Sequence, residues 1–219
     1  MRDRRMEIMS INVGLPKTMI YHGKELVTGI YKSPVSSSLY VSKVQLDGDG
    51  QADLINHGGE DKALCVYCEE HYLYWETAMD KKLEFGAFGE NLTVRGLSEQ
   101  EVCIGDTFEI GEVVVQVSQP RQPCFKLAKR YDVADLAVQV QDTGYTGYYF
   151  RVLKEGIIPV NPPIKLLEKD EAGVTIAYAN GIKYHDKANV AGVERILAVE
   201  ALSKSWRESF AKRLLELRA

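Results

Sequence analysis

With 219 residues, 45% of them hydrophobic and 26% charged, and a formal net charge of −4, the chain has the make-up of one large globular domain, or one domain with a small appendage. This composition excludes disorder, and the sequence holds no run of about 18 apolar residues to cross a bilayer. The acidic balance excludes broad electrostatic capture of nucleic acid, so any anion site must be local. The first residues carry basic groups without an apolar signal core, so a cytoplasmic protein is expected, with Cys65, Cys68, Cys103 and Cys124 as free thiols.

In chain order, residues 1–9 read as an N-terminal tail. From residue 10 to residue 168, short apolar segments are separated by Gly, Pro, Asp and Asn. Glu25 to Tyr31, Leu39 to Leu46, Ala63 to Tyr67, Thr107 to Ile110, Glu112 to Ser118 and Gly147 to Leu153 are expected strands. Glu69 to Met79 is an expected helix with Tyr72, Trp75 and Met79 on a related face. Lys126 to Tyr131 continues helically from a cysteine loop, and Asp132 is the expected N-cap of a helix over Val133 to Gln141. Many short strands with a few inserted helices predict a mainly β domain, a closed or partly closed barrel, rather than an alternating parallel α/β sheet. After Asn161-Pro162-Pro163 comes one more strand, Ile164 to Leu167. Residues 169–219 then turn helical in period, over Val174 to Ala179, Lys187 to Leu197 and Ser203 to Leu217. The last carries Trp206, Phe210, Leu214 and Leu217 at helical spacing, so a small three-helix C-terminal module is predicted.

The segment with most chemistry is Gln119-Pro120-Arg121-Gln122-Pro123-Cys124-Phe125-Lys126, directly after the apolar run Val113 to Val117. Two prolines stiffen the loop and remove two backbone donors. Arg121 and Lys126 flank Cys124 and favour its anionic form, the one needed for metal ligation or nucleophilic attack. The motif alone does not separate a metal ligand from a persulfide-carrying nucleophile.

This segment resembles the cysteine motif of the MOSC family, the domain found at the C-terminus of molybdenum-cofactor sulfurases, and in particular its bacterial YiiM-type branch. Further matches follow in order: Gly29 to Val35, Gly48-Asp49-Gly50-Gln51-Ala52-Asp53, His57 to Leu64, and Phe88-Gly89-Glu90-Asn91-Leu92-Thr93. Together they span most of residues 10 to 165. The resemblance implies a MOSC-type β-barrel followed by the three-helix module, and a molybdenum cofactor (molybdopterin) with Cys124 as the protein ligand to the metal. It also implies reduction of small N-hydroxylated compounds such as hydroxylamino purines. Because the chain has no flavin, nicotinamide or iron-sulfur motif of its own, electrons are expected from a separate, flavin-containing reductase. Self-association as a homodimer is left open.

Around that centre the resemblance tips several residues toward the cofactor. His57, with Gly58 and Gly59 allowing close backbone approach, is expected to hydrogen-bond the pterin or its phosphate, and Lys62 to supply charge. Lys32 and Ser33 bring a cation and a hydroxyl together at a strand end, which suits phosphate. Asn91 and Thr93, two apart on a strand, point the same way. Arg151 is a lone cation inside an apolar strand and needs an anion. That anion is either an acidic side chain such as Glu90 or Asp142, or the cofactor. Lys32, Lys62, Arg121, Lys126 and Arg151 are therefore expected to converge on one positive pocket. Two readings compete: a non-catalytic carrier of cofactor or persulfide sulfur, and a pyridoxal phosphate site, for which no Schiff-base lysine stands out. Cys65 and Cys68 lie three apart on an expected strand, hence on opposite faces, and read as structural thiols that cannot share a metal.

Overall fold

The computed structural model describes residues 5–21, 23–52 and 58–219. Twelve strands are formed among them: β1 (Glu7–Val13), β2 (Lys17–Tyr21), β3 (Lys24–Thr28), β4 (Ser33–Pro34), β5 (Leu39–Val41), β6 (Leu64–Cys68), β7 (Leu92–Arg95), β8 (Thr107–Ile110), β9 (Val113–Pro120), β10 (Tyr148–Lys154), β11 (Gly156–Ile158) and β12 (Ile164–Glu168). Eight of them make one mixed sheet in the order β12-β8-β9-β10-β6-β7-β1-β4, while β2 pairs with β3 and β5 with β11. The sheet curls into a half-barrel with inserted helices, the partly closed form of the expected architecture.

The sequence of β6, Leu-Cys-Val-Tyr-Cys, is buried at every position. It is covered on both faces and runs parallel to β7, from Val66 opposite Leu92 to Cys68 opposite Val94. Continuous rather than alternating hydrophobicity is what a strand covered on both faces requires. One face packs Val66, Cys68, Leu92, Val115, Phe150 and their neighbours into the main core. Tyr67 belongs to a second cluster with Tyr72, Trp75, Phe88, Leu127, Leu136 and Val140. There the Tyr67 and Phe88 rings stack at 4.2 Å, and the Trp75 indole N–H donates to the Tyr67 hydroxyl at 2.6 Å. This aromatic cluster seats α1 (Tyr72–Met79), α2 (Lys126–Tyr131) and α3 (Leu136–Thr143) beside the sheet.

The C-terminal module consists of α4 (Ile176–Asn180), α5 (Val190–Leu197) and α6 (Lys204–Arg218), with a turn of π-helix over Gly181–His185. It has no core of its own. Ile176, Ala179, Val193, Ile196, Trp206 and Phe210 join the same apolar cluster as the sheet residues. Backbone hydrogen bonds tie it down as well: Ile104 N to Val174 O at 2.9 Å, Ile176 N to Val102 O at 2.9 Å and Ser203 N to Ser118 O at 3.0 Å.

Several local expectations are corrected. Strand β1 begins at Glu7 and pairs with β7 through Glu7–Arg95 and Ile8–Val94, so residues 7–9 belong to the sheet. The expected Leu39–Leu46 strand ends at Val41 and returns through a turn, leaving only a Val41–Leu46 bridge. Asp132 is not an N-cap: at φ 57° it is the left-handed C-cap of α2, and Asp135 occupies the N-cap position of α3. Asp tolerates that conformation better than most residues, so the close of one helix outweighs the start of the next. Helix α4 begins only at Ile176, after an extended Thr175 that bridges Cys103 and caps the helix through its side chain.

Candidate active site

The cysteine loop is held at both ends. Pro120 still pairs with Tyr148 of β10, and the next amide, Arg121 N, donates to Gly147 O at 3.0 Å. Gly147, at φ 69°, lies so close to β6 that a Cβ there would stand 2.2 Å from the Val66 carbonyl oxygen, which only glycine permits. At the other end Leu127 N donates to the Cys124 carbonyl at 3.0 Å, joining the loop to α2. Cys124 thus sits half-exposed between a strand end and a helix start.

It opens on a cleft of about 600 Å³ including the mouth, within the range of small-molecule sites. The walls are Thr28 to Ile30 and Lys32, Gly50 to Ala52, Cys65, Phe88, Gly89, Asn91, Arg121, Cys124, Lys126 and Tyr149. The loops carrying Gly29 and Gly50 meet so closely that a Cβ on Gly29 would lie 2.5 Å from Gly50 O.

Arg121 dominates the electrostatics. It is only 6% exposed, its Nη2 donates to Phe88 O at 2.6 Å, and its Nη1 is buried with no hydrogen-bond partner among the described residues. Burial would lower its pKa, but the thiol of Cys65 and the Tyr149, Glu90 and Tyr67 groups outweigh this and raise it, so the guanidinium stays charged. On the same wall, burial pushes Cys65 up to about 11 against the opposing pull of Arg121. Burial, reinforced by Cys65 and opposed by the charge and hydrogen bond of Arg121, likewise raises Tyr149. Both therefore remain neutral donors near pH 7. A second buried atom, the Gln51 side-chain oxygen, also has no partner among the described residues. Arg121 and Gln51, both residues of the cleft wall, thus each hold a buried polar atom without a partner among the described residues, and unmet buried polar atoms call for a partner.

The expected site residues divide. Lys32, Asn91, Arg121, Cys124 and Lys126 come together around the cleft. Lys32 is already ion-paired with both oxygens of buried Asp49. Asn91 is committed too, accepting from Cys65 N at 3.0 Å and donating to Asp49 at 2.9 Å, so it shapes the wall. Lys126 lies at the exposed side, donating to Val27 O at 3.3 Å.

Ser33, Gly58, Gly59, Lys62, Thr93 and Arg151 do not line the cleft. Ser33 is exposed on edge strand β4. Gly59, at φ 93°, is the N-cap of a 3-10 turn over Glu60–Lys62. The Thr93 hydroxyl is buried, donating to Glu90 at 2.9 Å and accepting from Asn12 at 3.1 Å. Arg151 finds its anion in Asp61, with Nε and Nη2 at 3.0 and 2.6 Å from one carboxylate oxygen, and reaches Gln116 at 3.1 Å. Its partner is thus neither Glu90 nor Asp142, and three of the five expected cations converge. His57 lies outside the described residues. Gln51 and Cys65 were passed over in the sequence. Gln51 stands inside a quoted motif without a role, and Cys65 reads as an ordinary strand thiol until β6 is set against the cleft.

The MOSC domain pattern matches residues 53–165. The chain belongs to the MOSC domain family. The pattern of the YiiM-like 3-alpha helix domain matches residues 174–216, placing this MOSC protein in the YiiM-type branch and accounting for the helices packed on the half-barrel. It is 52% identical over 213 residues to the uncharacterized protein YflK of Bacillus subtilis (strain 168), covering 97% of this chain and 96% of that one. The crystal structure of YiiM from Geobacillus stearothermophilus superposes with a TM-score of 0.82 at 44% identity, covering 95% of this chain and 99% of that one. A protein of Gibberella moniliformis (strain M3125 / FGSC 7600) named "Reductase" is 37% identical over 151 residues, 67% of this MOSC chain and 27% of that longer protein. Among the described residues no helix is long and apolar enough to cross a membrane.

Proposed function

We propose that this MOSC protein is a cytoplasmic oxidoreductase that binds molybdenum cofactor in the Cys124 cleft and reduces small N-hydroxylated compounds with electrons from a separate flavin-containing reductase. The observation that carries the reading is the buried guanidinium of Arg121, a residue of the cleft wall whose Nη1 has no hydrogen-bond partner among the described residues. A fixed, desolvated cation recruits an anion strongly, and a phosphorylated pterin dithiolene is anionic. Gln51 Oε1, the unmet acceptor, suits a pterin ring N–H, and the half-exposed thiol of Cys124 is a soft ligand suited to molybdenum. The residues present therefore fit the group. MOSC membership and the reductase name of the fungal relative support the reaction class.

When bound, the cofactor would supply a metal able to accept an oxygen atom and to be re-reduced. The chain's own part is binding and proton supply. Arg121 and Lys126 would hold negative charge, Asn91 and the Lys32–Asp49 pair keep the wall rigid, and Phe88 excludes water from one side. Conversion of R–NHOH to R–NH2 and water consumes two protons and two electrons. The Tyr149 hydroxyl and Cys65 thiol, both kept protonated by burial, are the neutral donors on that wall. The pyridoxal phosphate reading gains no support, since Lys32, the buried lysine of the cleft, is taken up by Asp49.

The test is molybdenum content and turnover of an N-hydroxylated base, driven by a chemical reductant, for wild type and Cys124→Ser purified from a host that makes the cofactor. Turnover in wild type, with loss of turnover and of most of the metal in the variant, is expected. Retention of both by the variant refutes the assignment, and a fully loaded wild type without turnover establishes the carrier instead.

A further inference from the structure

The two cysteines of β6 serve different faces. Cys65 lines the cleft just described, and Cys68, three residues on, points the other way into a separate polar cluster. There the Cys68 thiol, His71 and Glu99, all buried, bring one ligand atom each to within 4.8 Å of one another. Local geometry explains half of this. Cys68 ends the strand and serves as N-cap of the 3-10 turn Glu69–His71, and residues three apart eclipse in that helix, so a Cys-x-x-His pair is presented on one side. Glu99 arrives from the loop after β7. Its second oxygen accepts from Gly147 N at 2.8 Å, which fixes the carboxylate, while the His71 ring is fixed by Tyr145 stacked on it at 3.9 Å and 11°.

We propose that Cys68, His71 and Glu99 form a zinc-binding site, distinct from the Cys124 cleft and independent of the function assigned to it. Thiolate, imidazole and carboxylate are the donor set of a three-ligand zinc centre. Tetrahedral zinc with bonds of about 2.0 to 2.3 Å sets its sulfur and oxygen ligands roughly 3.6 Å apart and its nitrogen and oxygen ligands roughly 3.3 Å apart. The Cys68 sulfur already stands 3.7 Å from Glu99 Oε2. His71 Nε2 and Glu99 Oε2 are 2.7 Å apart, so entry of the ion replaces their hydrogen bond, the proton between them shifting to His71 Nδ1, and opens the pair by about half an ångström. The thiol proton, which now faces Leu97 O at 3.1 Å, leaves to solvent. His71 and Glu99 also border a cavity of about 970 Å³ including its mouth, together with Glu70, Asp142, Tyr145 and His185. Water or a small polar ligand can reach the ion from there. Carboxylate and imidazole outside the first ligands are the groups that tune such a centre.

The experiment uses full-length protein dialysed against a chelator and titrated with Zn2+ or with Co2+ as a spectroscopic probe. One equivalent of zinc should bind, and the cobalt form should show a thiolate-to-metal charge-transfer band. That band should be lost in Cys68→Ser and kept in Cys65→Ser and Cys124→Ser. Absence of the band in wild type, its survival in Cys68→Ser, or its loss in Cys124→Ser overturns the proposal. Should Cys68→Ser fail to fold, X-ray absorption on wild-type zinc protein decides: a shell with one sulfur and otherwise nitrogen and oxygen is expected, and a shell without sulfur overturns the site.

Discussion

Replacing Arg121 by methionine removes a buried cation whose Nη1 has no hydrogen-bond partner among the described residues. A hydrogen bond from a charged group to a ligand oxygen contributes about 1.5–3 kcal/mol, so affinity for the anionic cofactor should fall by about 10- to 100-fold. Arg121→Lys keeps the charge but loses the outer guanidinium nitrogen and should fall near the lower end. The ligand-induced rise in stability follows from the same numbers. At a free concentration 100 times the wild-type Kd, binding stabilises the folded state by about 2.7 kcal/mol. For a variant bound 100-fold more weakly, the same concentration gives only about 0.4 kcal/mol. Molybdenum and released pterin per chain, together with thermal unfolding of empty and loaded protein, report both effects. The methionine variant also leaves the Phe88 carbonyl without its 2.6 Å donor, costing about 1–3 kcal/mol in the empty form, which the unfolding curve separates from loading. If Arg121→Met retains wild-type loading and the full ligand-induced shift, the buried guanidinium is not the anion anchor.

Two further outcomes follow from charges outside the cleft. Asp61 accepts from Arg151 and, through its other oxygen, from Lys204 N at 3.0 Å, so Asp61→Ala and Arg151→Met should each destabilise the fold by about 1–3 kcal/mol in urea titration while leaving molybdenum content unchanged. A variant that loses metal without losing stability would move Arg151 back to the cofactor. Lys183 is buried against Trp206 and Phe210, its Nζ 4.6 and 5.4 Å from the ring centres, and burial, with Arg213 adding to it, lowers its pKa from 10.5 to about 8. Between those values the unfolded chain holds a proton that the folded one has released, so stability should rise with pH across that window, by about 3 kcal/mol. Lys183→Met should abolish that rise, leaving the other titrations in place; equal pH slopes for the two proteins would exclude the effect.

The parts of the site legible in the sequence were those whose chemistry is local. Cys124 with Arg121 and Lys126 stands in one short proline-stiffened loop, and the helical spacing of Trp206 and Phe210 announced a buried face, both residues being 1% exposed. What stayed hidden depends on closures across long stretches of chain. Arg151 looked short of an anion because Asp61 is 90 residues away. Thr93 pointed with Asn91 on one strand, yet Glu90, folded back to accept from Gly86 N and Phe88 N, claimed its hydroxyl. Asp132 could be read as opening or closing a helix, and only the left-handed backbone chose. Cys68 and His71 are neighbours in sequence, but the carboxylate that completes their cluster enters 31 residues after the cysteine.

The seam between sheet and C-terminal helices has a consequence for how the molecule comes apart. With Val174, Ile176, Val193 and Trp206 in the same apolar mass as Val66, Val115 and Phe150, and with Asp61 fastening the first amide of α6, neither portion can open without wetting the other. Melting should therefore be a single cooperative event, and amide exchange in α5 should slow and quicken in step with that in β9. The family pattern ends at residue 165, but the thermodynamic unit of this protein runs on through the helices.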